Sequence, residues 1–421
     1  MKGQQKKKAA PVLVVLILIV LIGAAGIGSF LMNRYKPGTE YMSGMEYFNL
    51  TDENSVALIQ NGALLDQQAA LIGGEPYAAY TYVESRLNSC FYWDEETNGI
   101  LLTTTDGVQT LLPGDTAVCK TPGGQPAVQQ ESDGTIYLSL DVVKAYTDFD
   151  YAYYSNPGRV VIRNEWDGMQ QATVEADTAQ VRQKGGIKSL ILTDVQKGDT
   201  LLYLENLDNW CKVMTEDGYT GYIRTEDISA PQNVEARTAQ KDSYERITRD
   251  HKINLVWHQS TSTESNDAMT EMTAEMTGVN VISPTWFSVT DETGTISSLA
   301  SADYVQKAHE AGREVWGLID NFNEAFDETT DLAFASVRRK IIEQLLAEAA
   351  SCGMDGINVD FENLKEAGIP HYLQFLRELT SAAHAQNLVV SVDTPVPQSY
   401  TMYYQRGEQA RFVDYMIVMA Y

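Results

Sequence analysis

Residues 355–362 read Asp-Gly-Ile-Asn-Val-Asp-Phe-Glu. Apolar, β-forming residues occupy alternate positions of this stretch: Ile357, Val359 and Phe361. The alternation predicts a strand with those residues on one face and Asn358, Asp360 and Glu362 on the other. Three polar side chains stacked on one side of an otherwise apolar strand are costly to bury unless they have a function. The stretch is therefore the first place to look for a site.

Two of these polar side chains are carboxylates two residues apart on one face. Like charges repel when both groups are ionised, so one of Asp360 and Glu362 is expected to hold its proton to a raised pH, as a general acid must. The alternative interpretation is the solvated face of an edge strand. The apolar sequence on both sides favours a functional site.

The motif resembles the active-site sequence Asp-x-x-Asp-x-Asp-x-Glu of glycoside hydrolase family 18, the chitinase-like (β/α)8 barrels; Asp355, Asp360 and Glu362 match it. The resemblance implies a substrate-assisted, retaining mechanism. Glu362 would protonate the glycosidic oxygen, and Asp360 would orient the 2-acetamido group whose carbonyl oxygen is the nucleophile. Asn358 replaces the middle aspartate, so it can hydrogen-bond Asp360 but cannot share a proton with it. This form resembles the spore-cortex and peptidoglycan-acting branch of the family.

From His251 onward, predicted strands and helices alternate as in a parallel α/β barrel. Strand four carries the motif, and Asp360 and Glu362 fall at its carboxyl end, where such barrels hold their catalytic groups. The predicted strands are 253–257, 279–287, 314–319, 355–362, 388–393 and 413–421, and the helices are 301–311, 336–350 and 370–386.

The sixth predicted strand ends at Tyr421. By resemblance, Tyr421 is the tyrosine of the family's Met-x-Tyr that hydrogen-bonds the acetamido group. Six strands cannot close an eight-stranded barrel. We therefore expect residues 251–421 to be a catalytic barrel truncated after strand six because the sequence is a fragment; the alternative is a defective, vestigial barrel.

Six further residues at or near predicted strand ends could line a sugar cleft: Trp257, Trp286, Trp316, Asp320, Asn321 and Asp393. Aromatic faces can stack on pyranose rings. The three tryptophans and Asp393 are the candidate substrate-binding residues. Any of them could equally be a core or capping residue.

The N-terminus carries a membrane signal. Lys2 and residues 6–8, all lysine, precede an uncharged run of 24 residues from Ala9 to Met32. That length spans a bilayer core of about 30 Å, and the preceding lysines predict a cytoplasmic N-terminus and an exported body. Residues 1–32 are thus expected to be a basic tail and a single transmembrane anchor. Cleavage at the small-residue stretch 23–29 would instead release a secreted body.

Two modules are predicted between the anchor and the barrel, with linkers at 33–54 and 229–250. Residues 55–165 contain two similar units of strand, short helix and hairpin, with turns near 96–99 and 155–158. This α+β pattern resembles the duplicated N-terminal domain shared with copper amine oxidases, and no copper function follows from it. Residues 179–228 are rich in turns and strands, and resemble a bacterial Src-homology-3-like barrel. That resemblance implies attachment to the cell wall; a rigid spacer is the alternative.

Composition excludes several classes of function. The formal net charge is −26, and the first 36 residues contain no acidic side chain, so the body is a poor partner for nucleic acid. The four cysteines and five histidines show no metal-ligand spacing, and no cofactor or obligate protein partner is indicated.

Together these features predict a membrane-anchored, multi-domain glycosidase at the cell surface. Its substrate would be a cell-wall glycan with N-acetylhexosamine linkages. A non-catalytic glycan-binding protein and a structural wall protein with a vestigial barrel are the alternatives, and the intact Glu362 favours the enzyme.

Overall fold

The computed structural model describes residues 9–237 and 244–420. The chain divides into two units: the first unit is Met1–Ala69 with Phe149–Thr238, and the second unit is Ala70–Asp148 with Ala239–Tyr421. Each of these units is made of two separate segments, whereas each predicted module is one continuous segment. The module boundaries stay a prediction.

The helices of the described residues are α1 (Ala9–Tyr35), α2 (Gly44–Tyr47), α3 (Tyr80–Tyr82), α4 (Leu140–Ala145), α5 (Met269–Thr273), α6 (Ala302–Glu310), α7 (Ala335–Cys352), α8 (Ile369–His384) and α9 (Arg406–Gln409). One π-helical turn lies at Val83–Leu87. Short 3-10 helices lie at Thr225–Asp227, Thr263–Ala268, Asp331–Ala333, Glu366–Gly368 and Ser399–Tyr404.

The strands of the described residues are β1 (Val56–Gln60), β2 (Ala63–Ile72), β3 (Glu75–Ala79), β4 (Phe91–Asp94), β5 (Gly99–Thr104), β6 (Gly107–Leu111), β7 (Val128–Gln130), β8 (Ile136–Ser139), β9 (Asp150–Ser155), β10 (Gly158–Arg163), β11 (Gln170–Thr173), β12 (Thr178–Arg182), β13 (Ile191–Gln196), β14 (Thr200–Leu207), β15 (Trp210–Met214), β16 (Thr220–Arg224), β17 (Gln232–Asn233), β18 (Leu255–His258), β19 (Val281–Val289), β20 (Ile296–Ser298), β21 (Glu314–Asp320), β22 (Gly356–Asp360), β23 (Val389–Pro395) and β24 (Tyr415–Met419).

Helix α1 is apolar along most of its length. Its segment Val14–Tyr35 is long and apolar enough to cross a membrane, a test of length and composition that a signal sequence also passes. At about 1.5 Å rise per residue, a helix of this size is comparable to the hydrocarbon thickness of a bilayer. The predicted apolar helix is confirmed, and its topology stays a prediction.

The first unit contains an antiparallel sheet in the order β13-β12-β16-β15-β14-β11-β17. Alternate apolar side chains of these strands fill one core. Residues 37–50, predicted to lie in a linker, pack against it: Gly38 and Met42 donate backbone hydrogen bonds to Ile187 and Ile191. Phe48, in the same segment, is buried in that core. The sequence interpretation assigned the aromatic residues of this segment to a linker and therefore did not predict their packing.

Two sequence repeats, each made of a strand, a helix and a hairpin, follow one another along the chain, as predicted. The first is β3, α3, β4 and β5, and the second is β8, α4, β9 and β10. In the first unit, β1 pairs in parallel with β10 and antiparallel with β2. In the second unit, β3 pairs with β8, and β4, β5 and β6 form a sheet of their own.

The second unit also contains six parallel strands in the order β18-β19-β21-β22-β23-β24. We call these strands with helices α6 to α8 the half-barrel. Every predicted strand and helix of this region is present, and each end lies within two residues of its predicted position. The closed eight-stranded layout stays a prediction, because six parallel strands do not test it.

Apolar side chains explain why the helices cover one face of this sheet. Ile357 and Val359 of β22 point outward into the same core as Ile341 and Leu345 of α7. The opposite, inner face carries the polar residues of the motif. The outer face of the strands is thus core, and the inner face is free to build a site.

A second layer covers the other side of α7 and α8. Arg338 of α7 has a fully buried side chain that pairs with Asp94 of β4 at 3.3 Å and with Glu378 of α8 at 3.1 Å. The Tyr92 hydroxyl lies 2.5 Å from His371 Nδ1 of α8. Residues 91–111 therefore pack on the half-barrel helices through buried polar contacts, which no sequence pattern indicated.

Candidate active site

The inner face of the half-barrel is built in levels, because inward side chains of neighbouring strands share register positions. The lowest level is apolar and contains Val281, Trp316 and Val389. Gly356, the second residue of the motif, pairs with Trp316. A Cβ atom at position 356 would lie 2.9 Å from Trp316 Cδ1 and 2.8 Å from the Val389 carbonyl oxygen. The glycine thus leaves room for the indole ring beneath the polar levels.

The middle level centres on Asn358, which is fully buried. Its Oδ1 accepts hydrogen bonds from Trp257 Nε1 at 3.2 Å and Ser283 Oγ at 3.1 Å. Its Nδ2 donates to Asp393 Oδ1 at 3.0 Å. Oδ1 thus accepts two hydrogen bonds and Nδ2 donates one of its two hydrogens, so the orientation of this amide is set by its neighbours.

The upper level is a row of three aspartates on neighbouring strands. Asp320 pairs with Asp360 in register, and Val359 pairs with Val392, which brings Asp360 level with Asp393. Neighbouring strands lie about 4.8 Å apart, so the three carboxyl groups stand side by side. Asp320 is held by Ser288 Oγ at 2.7 Å and by the Phe322 amide at 3.2 Å.

Burial and crowding keep two of these carboxyl groups protonated to a higher pH than usual. Burial first, and then the charges of Glu362 and Asp320, raise the pKa of Asp360 to about 6. Burial raises the pKa of Asp393 to about 7; hydrogen bonds from Asn358 and Trp257 oppose this rise, and the charges of Asp360 and Glu362 add to it. The expected raised carboxyl pKa is therefore present at Asp360, and it extends to a second strand.

Glu362 lies just beyond the strand, which ends at Asp360 and not at 362 as predicted. Its backbone is fixed by both ends of the Asn321 amide: the Glu362 amide donates to Asn321 Oδ1 at 2.9 Å, and Asn321 Nδ2 donates to the Glu362 carbonyl at 3.0 Å. Phe361 stacks on Phe375 of α8 with ring centroids 5.5 Å apart. The segment that carries the partly exposed Glu362 side chain is thus anchored on both sides.

Asp355 does not reach this group, although the motif resemblance placed it there. It lies before the amino end of β22, where its Oδ2 accepts from His309 Nε2 at 2.7 Å and from the Val315 amide at 2.8 Å. Five residues of strand separate it from Asp360, which is about 16 Å at 3.3 Å per residue. The alternation that faces Asp360 inward turns Asp355 the other way. Its role is to join the carboxyl end of α6 to the amino end of β21.

The three tryptophans take different positions. Trp257 is 41% exposed and donates to Asn358, so its ring borders the site. Trp286 is 1% exposed and packs on Tyr304 of α6, because it faces the helices. Trp316 is fully buried in the lowest level. Neither Trp286 nor Trp316 presents a ring to the carboxyl ends of the strands.

Two sequence-based candidates remain, Tyr421 and Asp393. Tyr421 lies outside the described residues. Asp393 is in the site but turned into the acidic row. Three neighbours of the site were not among the sequence-based candidates: Ser283, Ser288 and Phe322. A serine at an inward position of an apolar strand was the available signal for the first two. Phe322 is 57% exposed just past Asp320.

Among the described residues, no cluster of three or more histidine, cysteine, aspartate or glutamate side chains could hold a metal ion. The row of aspartates is therefore not arranged as a cation site in this part of the chain. What the arrangement offers is proton chemistry: three neighbouring carboxyl groups, of which Asp393 is buried and two have raised pKa values, beside a partly exposed glutamate.

Comparison with known proteins identifies one domain. A family model described as bacterial SH3 domain matches residues 177–229, close to the predicted 179–228. No curated protein matches the chain.

Solved structures resemble part of the chain at low identity. They include the C-terminal domain of a protein classed as a chitinase from Desulfitobacterium hafniense, with 21% identity, a TM-score of 0.36, and coverage of 40% of this chain and 55% of that one. A chitinase from Chromobacterium violaceum has 19% identity and a TM-score of 0.35, over 40% and 56% of the chains. The spore cortex-lytic enzyme SleL of Bacillus cereus has 19% identity and a TM-score of 0.35, over 40% of each chain. The chain thus spans about half the length of the first structures or less.

Proposed function

We propose that this protein is a glycoside hydrolase that cleaves N-acetylhexosamine linkages in cell-wall glycan by the substrate-assisted route of family 18. The observation that carries the proposal is the arrangement of Asp360 and Glu362. One is a half-buried carboxyl at the end of β22, and the other is a partly exposed carboxyl two residues beyond it.

Each carboxyl group has a distinct task in this proposal. Glu362 gives its proton to the glycosidic oxygen as the bond to the anomeric carbon breaks, and the substrate's acetamido oxygen forms the new bond there. Asp360 accepts a hydrogen bond from the acetamido N–H and turns that group toward the anomeric carbon. Water then attacks the anomeric carbon, the bond from that carbon to the acetamido oxygen breaks, and Glu362 takes the proton that the water loses, so the configuration is retained.

The surroundings of the site support a sugar ligand. Trp257 and Phe322 expose 41% and 57% of their surface beside the acidic row. Aromatic faces with polar neighbours suit the apolar faces and hydroxyl rims of pyranose rings. The bacterial SH3 domain supports attachment to the cell wall, and α1 supports anchoring in the membrane. Within this proposal the repeats at 55–165, which resemble the N-terminal domain of copper amine oxidases, support the half-barrel through the buried contacts of residues 91–111 with its helices.

The test compares the full chain, solubilised in detergent, with its Glu362→Gln variant on aryl N-acetylglucosaminides and on soluble peptidoglycan fragments. Loss of a general acid should lower turnover by about two to four orders of magnitude, while glycan binding, measured by calorimetry, should persist. Glu366→Gln, an exposed glutamate four residues further on, is the matched control and should behave as wild type.

Two results would contradict the proposal. Turnover within a few-fold of wild type in Glu362→Gln would remove this residue from the chemistry. Glycan binding without any turnover by the wild-type chain would favour the alternative function, a non-catalytic glycan-binding protein.

A further inference from the structure

Two buried carboxyl oxygens at the upper level have no hydrogen-bond partner among the described residues: Asp360 Oδ1 and Asp393 Oδ2. Buried polar atoms almost always have a partner, so a pair of exceptions at one site needs an explanation. The two residues stand level on adjacent strands. An ionised carboxylate only accepts hydrogen bonds, whereas one proton on either group would turn it into a donor for the other.

The neighbouring amide cannot supply that proton. Asn358 Oδ1 already accepts from Trp257 and Ser283, which turns its Nδ2 toward Asp393 Oδ1. With Oδ1 of Asp393 engaged in this way, Oδ2 is the oxygen left to carry a proton.

We infer that Asp393 keeps a proton at neutral pH and donates it to Asp360, which makes Asp393 a positioning residue for the Asp360 carboxylate. The catalytic consequence rests on the proposed function, but the shared proton does not. The pair then carries one negative charge, and Asp360 is held in one orientation for the acetamido N–H. Asn358 cannot share a proton with Asp360 within β22. Asp393 on the neighbouring strand takes that role.

The charges around the pair favour this state. The ionisable groups that interact with it are Asp320 of β21, Glu362 after β22 and Tyr372 of α8. None of these is a cation, so the ionised form of Asp393 is favoured only by the hydrogen bonds from Asn358 and Trp257, which burial outweighs. Burial also raises the pKa of both aspartates, in agreement with the geometry.

The first experiment measures the proton directly. Infrared spectra of the detergent-solubilised full chain between pH 5 and pH 8 should show the carbonyl stretch of a protonated, buried carboxyl group that persists at pH 6.5. Asp393→Asn should lose this band and release about one proton fewer over the same range. Asp66→Asn, which removes an exposed aspartate from β2, is the control and should match wild type.

Asp360→Asn provides an independent variant. It removes the neighbouring charge, so the midpoint of the remaining band should move down by about one pH unit. The inference is overturned if the wild-type chain lacks the band at pH 6.5, or if Asp393→Asn keeps it.

The second experiment asks whether Asp393 acts through Asp360. In Asp393→Asn the amide can still donate to Asp360, so turnover should stay within about threefold of wild type. Asp393→Leu removes the donor and should lower kcat by about tenfold or more with little change in KM. Equal losses in both variants would indicate a merely structural role and refute the positioning role.

The two proposals fail in different ways. If the wild-type chain does not hydrolyse any glycan, the proposed function is wrong, and the infrared titration alone still decides whether the proton is shared. If the chain is active but the titration is unaltered in Asp393→Asn, only the inference fails.

Discussion

Replacing Asp393 with asparagine should stabilise the protein, and the gain should be larger at pH 8 than at pH 5. Asp393 is 2% exposed, and its pKa is about 7 in the folded protein, against an ordinary value of 3.8. Between these two values the folded chain binds a proton that the unfolded chain has lost. Stability from this group is therefore fully present below pH 3.8 and is lost as the pH rises through 7.

The size of the effect follows from the two pKa values. Because one pKa unit corresponds to about 1.4 kcal/mol, the change in the free energy of unfolding between pH 5 and pH 8 is about 2.5 kcal/mol if Asp393 titrates alone. Asparagine keeps an oxygen to accept from Asn358 Nδ2 and carries no titratable group. The variant should thus gain about 2.5 kcal/mol on wild type between the two pH values.

Urea denaturation of the full chain in detergent, followed by tryptophan fluorescence, measures this difference. Three of the tryptophans that report on the half-barrel are Trp257, Trp286 and Trp316. Asp66→Asn is the control, because it removes the same charge from an exposed position on β2. A difference between Asp393→Asn and wild type that stays constant within about 0.5 kcal/mol across the two pH values would refute the reasoning.

Four further predictions test other parts of the structure. Gly356→Ala should destabilise the chain by about 1–3 kcal/mol because its Cβ would overlap Trp316, whereas Gly407→Ala, with no atom within 4 Å, should be neutral; thermal denaturation measures both. Arg338→Met should cost about 3–5 kcal/mol in urea denaturation by leaving two buried carboxylates unpaired, and the exposed Arg339→Met should cost little. A thiazoline analogue of N-acetylglucosamine should inhibit competitively, and equal cleavage of glucosides and N-acetylglucosaminides would contradict substrate assistance. Protease added to intact cells should digest the chain beyond α1, and full protection would contradict an exported body.

The parallel strands could be predicted because period-two alternation and helical spacing are local signals. The alternation in 355–362 is sufficient by itself to place Asn358 and Asp360 on one face. The same alternation indicates that Asp355 faces outward, because it lies two residues before the outward-facing Ile357. The resemblance to a known motif, and not the alternation, had brought Asp355 into the site.

Other features had no local signal. Trp286 lies where the register between β19 and β21 shifts, between Thr285 and Phe287, and a shift of this kind changes which face a residue takes. Asp393 was selected as a residue that binds sugar, but its position beside Asp360 depends on the pairing of two strands. Such pairing is a property of the folded sheet, and one sequence does not display it.

The contact between β4 and α7 has a consequence for the order of events during synthesis. Asp94 and Arg338, which meet in that contact, are 244 residues apart in the chain. At about 5–20 residues per second, a ribosome needs on the order of ten to fifty seconds to deliver the second after the first. Throughout this interval the buried face of residues 91–111 has no helix to cover it, while the intervening bacterial SH3 domain emerges complete. The nascent chain thus exposes residues 91–111 while the bacterial SH3 domain, which follows them in the chain, is already complete. Chaperone binding would be most valuable in this state.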